Sequence, residues 1–217
     1  MKINFYTAIH KALRHYLYSV AIDVGNHDFS DTARFTVLYE NIIKLINLLR
    51  DHARHEETYI RPLIESKFKD IADKLGAEHD EQEHELMTLE NNCRRLLHLS
   101  GHEAVTEGLL FYRALNKFIG ESLLHMEEEE NTMEILQTVC TDEELMDVHM
   151  RIITSFSMEK MLQAISYMMP ALNLEERLSM LKGMMMNATQ ETTAIILSKV
   201  EAAIKREHWI ELKAFIK

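Results

Sequence analysis

The sequence predicts an all-α protein, an up-down-up-down four-helix bundle followed by a C-terminal helical extension. Three observations carry that prediction. Only six glycines and two prolines occur in 217 residues, against roughly 7% and 5% in an average chain, and the chain is dominated by strong helix formers. Apolar residues recur at three- and four-residue spacing over long stretches. Those stretches run to about 20 to 38 residues and are joined by short connections, which favours antiparallel neighbours.

The first helix runs from Phe5 through Leu17 to Ile22 and is interrupted by Val24-Gly25-Asn26-His27-Asp28. Ser30 or Asp31 can cap a second helix with Phe35, Leu38, Ile42, Leu45, Ile46 and Leu49 on one side. It continues to about Phe68, with Pro62 as a candidate kink. A third spans Ile71 to Leu99 and ends at Ser100-Gly101, where glycine relieves left-handed geometry. A fourth spans Glu103 to Val139, so residues 1–140 form the bundle. Thr141-Asp142-Glu143-Glu144 reads as a capping box that opens the extension, 141–217, whose shorter helices break at Pro170 and near Asn187. Met168, Met169, Met180, Met184, Met185 and Met186 are expected to fill its core, with an adaptable groove for a partner helix as the alternative. Trp209 is expected to anchor the last helix.

A hydrophobic content of 47% supplies a sizeable core. The net charge of −11 argues against a nucleic-acid backbone or an anionic membrane as partner. No apolar run reaches about 18 residues and no signal-peptide core is visible, so a cytoplasmic protein is expected. Cys93 and Cys140 lack the paired short spacing of zinc or redox motifs. Neither a nucleophile beside a base nor a phosphate-cradling glycine loop is present.

The chemistry sits in two matched segments. His52-Ala53-Arg54-His55-Glu56-Glu57 in the second helix and His125-Met126-Glu127-Glu128-Glu129-Glu130 in the fourth are both H-x-x-x-E-E. One helical turn is about 3.6 residues, so His52 faces the same way as Glu56, and His125 the same way as Glu129. A lone H-x-x-x-E is weak, and His79 with Glu83 makes a third. The weight rests on register. His10 precedes His52 by 42 residues and His79 precedes His125 by 46, so the chain twice offers one histidine followed by a His-Glu pair. A pseudo-twofold two-metal site in a four-helix bundle requires that pattern.

Neutral imidazole with carboxylate suits iron, manganese or zinc. Buried Glu56 and Glu129 make sense mainly with a cation or proton to balance them. Two histidines per ion with two shared carboxylates would leave positions open for a small ligand. His84 competes with His79, and His15 with His10, each five residues away and about 140° around the helix; His79 and His10 are favoured by their apolar neighbours. His55 is expected at the surface or behind the ligands, Glu57 and Glu130 as acceptors behind them, and Glu127 and Glu128 on a solvated face. Tyr6, Tyr16, Tyr18, Tyr39 and Tyr59 are expected to pack in the core with their hydroxyls at the rim.

The segments His10 to Arg14, His52 to Ile64, Glu78-His79-Asp80 and Leu124 to Glu130, in that order, resemble the hemerythrin-like HHE cation-binding family over about residues 5 to 140. That resemblance implies a four-helix bundle holding two iron ions with an oxo or hydroxo bridge. It places His10, His52, Glu56, His79, His125 and Glu129 at ligand positions. Members of the family are associated with oxygen carriage, oxygen or iron sensing, and responses to nitric oxide or peroxide. Oxygen-carrying hemerythrins have a further histidine and an aspartate as ligands, and this chain has no clean counterpart of their paired histidines in the third helix. The expected function is therefore binding of dioxygen, a related small oxidant or nitric oxide, as sensor, scavenger or store. The alternatives are a di-iron enzyme acting on peroxide or in iron–sulfur repair, and a metal-stabilised interaction protein using the Met-rich C-terminal helices.

Overall fold

The computed structural model describes residues 3–186 and 188–216, and the side chains of all of these except Thr32 and Ala33. The helices are α1 (Thr7–Asn26), α2 (Thr32–His55), a π-helical turn (Glu56–Ile60), α3 (Arg61–Lys67), α4 (Lys69–Leu96), α5 (Gly101–Val139), α6 (Asp142–Thr154), α7 (Met158–Ala171), α8 (Leu174–Met185), α9 (Gln190–Ala203) and α10 (Arg206–Lys213). No strand occurs among the described residues, and none of the described helices is long and apolar enough to cross a membrane.

Two compact units are present, one mainly Tyr16–His149 and the other Asn4–His15 with Met150–Lys217. In the first, α4 packs against α5, α2 and α3. The pairs joining α4 to α5 run in opposite senses: Lys74 meets Glu128, Glu78 meets His125, Glu85 meets Lys117 and Arg95 meets Glu107. The same holds for α2 and α4, where Arg50 reaches Glu90 while Glu57 reaches His79. Tyr16 on α1 donates to the Asn41 carbonyl of α2 at 3.3 Å. Successive long helices α2, α4 and α5 are therefore antiparallel, and the predicted face of α2, Phe35 to Leu49, is buried.

Helix ends follow local chemistry. Asp31 caps α2 by accepting from the Arg34 amide at 3.1 Å. The box at α6 is reciprocal: the Thr141 amide donates to Glu144 Oε2 at 2.8 Å, and the Glu144 amide to Thr141 Oγ1 at 3.2 Å. Gly101 has the one positive φ among the described residues, +59°, but it opens α5 rather than closing α4. The second helix does not run unbroken to Phe68. Pro62 lacks an amide hydrogen and its ring would crowd the Thr58 carbonyl. The turn before it widens, and the Arg61 amide reaches back to the Glu56 carbonyl.

In the second unit, α7 packs on α9 and α10 packs on α8 and α9. Ile165, Met169, Leu181, Ile196, Val200, Trp209 and Leu212 form its core, with Met180, Met184 and Met185 packed against them. Most of the methionines thus act as core filler, as expected, and Trp209 anchors α10. Pro170 sits within α7, whose last carbonyls on Met169 and Pro170 accept from the buried Arg177 guanidinium at 2.8 and 3.4 Å. The expected break lies between α8 and α9, while Asn187 itself lies outside the described residues.

Candidate metal centre

Partway along the bundle, the buried stripe of three elements changes from apolar to polar at one level. On α2 and the π turn it runs Leu49, His52, Glu56, Ile60; on α5 it runs Ser122, His125, Glu129, Thr132. On α4 the apolar face lapses between Leu75 and Leu86, where His79 stands. Glu56 is 4% and Glu129 1% exposed. Two ionised carboxylates at that depth cost several kcal/mol each without compensation.

His52, Glu56 and Glu129 bring one ligand atom each to within 4.8 Å of one another, and so do His79, His125 and Glu129. Glu129 is common to both groups. Glu56 also faces two ways, with Oε1 2.9 Å from His52 Nε2 and Oε2 3.4 Å from His79 Nε2. Glu129 Oε1 lies 3.4 Å from His125 Nε2 and 3.6 Å from His79 Nε2. The two rings stand with centroids 4.7 Å apart at 68°.

These spacings fit a cation. Bonds of about 2.0–2.2 Å to nitrogen and oxygen, at right or tetrahedral angles, separate neighbouring donors by about 2.8–3.6 Å. The buried Nε2 atoms of His79 and His125 make no hydrogen bond of normal geometry among the described residues. Their Nδ1 atoms do. His79 Nδ1 donates to Glu57 Oε1 at 2.7 Å and His125 Nδ1 to Glu78 Oε2 at 2.7 Å. Burial pushes the His79 pKa down, but Glu129, Glu56 and Glu57 outweigh it and raise it to about 11. The His125 pKa is also raised, Glu129 and Glu78 overcoming burial. Both upward shifts have the same physical cause, carboxylates facing the buried rings.

His10 is fully buried on the part of α1 that belongs to the second unit, its ring centroid 4.9 Å from that of Tyr6. It continues the buried stripe of α1 formed by Leu13, Leu17, Val20 and Val24. The competitors His15 and His84 are both exposed. His55 stacks on Tyr59 with centroids 6.0 Å apart. Glu127 is exposed and Glu128 pairs with Lys74, as a solvated face predicts. Of the tyrosines, Tyr6 is buried while Tyr18 is 49% exposed and does not join the core.

Glu78 is the residue that reasoning from sequence missed. Its one signal is position: it precedes His79 directly, about 100° around α4, and so turns toward α5. Glu57 was anticipated as an acceptor behind a ligand, and it accepts from the imidazole on α4 rather than from one on its own helix.

A helical bundle whose buried level carries imidazoles around shared carboxylates defines a cation-binding protein. The family model of the hemerythrin HHE cation-binding domain matches residues 1–136. The chain belongs to that family. Comparison with curated proteins and with solved structures gives no match.

Proposed function

We propose that this is a cytoplasmic non-haem di-iron protein that binds dioxygen, a related small oxidant or nitric oxide, as a sensor, scavenger or store. The observation that carries the reading is the sharing of carboxylates: Glu129 belongs to both donor groups, and the two oxygens of Glu56 address different histidines. Shared carboxylates suit two ions rather than one. His10 and His52 would serve one ion, His79 and His125 the other, and Glu56 and Glu129 both. His10 is included because it lies on the buried stripe of α1 and repeats the order of His79 before His125. Residues 1–140 make up the metal-binding bundle and 141–217 a helical extension.

Two iron ions would supply the redox chemistry that binding or reducing a small oxidant needs. The protein residues hold and shield them. The carboxylates balance the charge, the imidazoles fix two positions, and buried Leu49, Ile60, Met126 and Met133, on the same helices beside Glu56 and Glu129, keep bulk water out. Both cysteines are free thiols, which suits a reducing compartment.

Protein loaded with ferrous iron under anaerobic conditions, then exposed to dioxygen or nitric oxide, tests the reading. A stoichiometric spectral change supports it. An unchanged spectrum with both gases would overturn it, and rapid catalytic consumption of peroxide would move the chain to the enzyme alternative.

A further inference from the structure

Two glutamates outside the proposed ligand set touch the imidazoles from behind. Glu57 meets His79 Nδ1 and Glu78 meets His125 Nδ1, each at 2.7 Å. Each is one residue from a proposed ligand, Glu57 after Glu56 and Glu78 before His79, and each reaches across to a neighbouring helix. Their side chains are 33% and 28% exposed, whereas those of His79 and His125 are 9% and 7%. The carboxylates therefore reach inward from the partly exposed side of the bundle, while the rings they hold are buried.

We propose that Glu57 and Glu78 are positioning residues of the metal centre, fixing His79 and His125 with Nδ1–H outward and Nε2 presented to the ion. The proposal rests on the reading that the site binds metal. An imidazole donating one N–H to a carboxylate has its tautomer and ring orientation set, and its other nitrogen becomes a better donor.

The two carboxylates are themselves held. Arg61 Nη1 lies 2.5 Å from Glu57 Oε2, at the far side from His79. Lys74 Nζ lies 3.6 Å from Glu78 Oε1 and is bonded to Glu128. Room for the Arg61 guanidinium is made by Gly76, one turn before His79 on α4: a Cβ there would come within 2.5 Å of Arg61 Nη1. Gly76, Arg61 and Glu57 thus form a chain that ends on His79, and none of them is a proposed ligand. The widened turn ahead of Pro62 lets Glu56 and Glu57 both reach His79, through Nε2 and Nδ1 respectively.

The full-length chain titrated with Co2+ provides the test, read by absorption and by the hyperfine-shifted, exchangeable imidazole N–H resonances of the loaded protein. Glu57→Gln and Glu78→Gln should each weaken Co2+ binding about 10- to 100-fold and shift or lose one N–H resonance. The melting temperature of the metal-free protein should change little. Gly76→Ala should weaken binding with Glu57 still present, through loss of the Arg61 contact. Wild-type affinity and unchanged N–H resonances in both glutamine variants would overturn the proposal. So would affinity lost only in step with loss of helix in the metal-free chain. A wild-type protein that takes up no Co2+ would instead overturn the metal-site reading on which the proposal stands.

Discussion

Glu56 and Glu129 are carboxylates in the interior of a helical bundle, and each is met by imidazole nitrogens 2.9 to 3.6 Å away. That arrangement needs positive charge, which explains why single substitutions should act on metal content and stability together. His125→Ala is expected to lower bound metal and to shrink the melting-temperature gap between loaded and metal-free protein; metal analysis with thermal melts of both forms checks it. The gap itself can be large, since a ligand at about 1,000 times its Kd adds about 4 kcal/mol. The H-x-x-x-E-E spacing was legible because one helix holds both residues. The Glu78 contact was not, because the spacing within α4 does not reveal what α5 places opposite it. The cysteines give a separate prediction at this scale. Cys93 is fully buried and its thiol is pushed up to about 12, chiefly by burial, whereas Cys140 is only partly buried. Thiolate is the reactive form, so alkylation of the native protein near pH 8 should label Cys140 and leave Cys93 until the chain unfolds. Mass mapping that found both labelled at equal rates would contradict the packing around Cys93.

Element ends divide into those that local chemistry dictates and those that packing decides. The Thr141 box and the Asp31 cap were readable because donor and acceptor lie three residues apart. Thr141→Ala should therefore destabilise by about 0.5–2 kcal/mol, measured by denaturant unfolding. The π turn at Glu56–Ile60 was only partly readable: Pro62 announces a disturbance, but whether a helix kinks, ends or widens there depends on what surrounds it. Gly108 shows the same limit. It lies inside α5, where glycine costs helix stability, and it is there because the connection between α1 and α2 folds over it, so that a Cβ would fall 2.2 Å from Phe29 Cγ. Phe29 is wedged with His27 and Phe35, ring centroids 5.1 and 5.7 Å away. Gly108→Ala should consequently destabilise by about 1–3 kcal/mol despite its better helix propensity, and a stabilised variant would mean that Phe29 packs elsewhere.

For the whole molecule, the antiparallel order of α2, α4 and α5 followed from their lengths and short connections. It brings two H-x-x-x-E segments that are 73 residues apart in the chain to one level of the bundle, and that level is the site. The division into compact units was less legible. Contacts split α1 between His15 and Tyr16 and α6 between His149 and Met150, and no change of composition or periodicity marks either point. On the proposed reading, one chain holds two ions with Glu129 shared between them. Equilibrium titration of metal-free protein with ferrous iron, counting ions bound per chain, tests it most directly. Two per chain are expected in the wild type and a reduced number in Glu129→Gln; a wild type that saturates at one or none, or a Glu129→Gln variant that still binds two with equal affinity, would rule out the shared site.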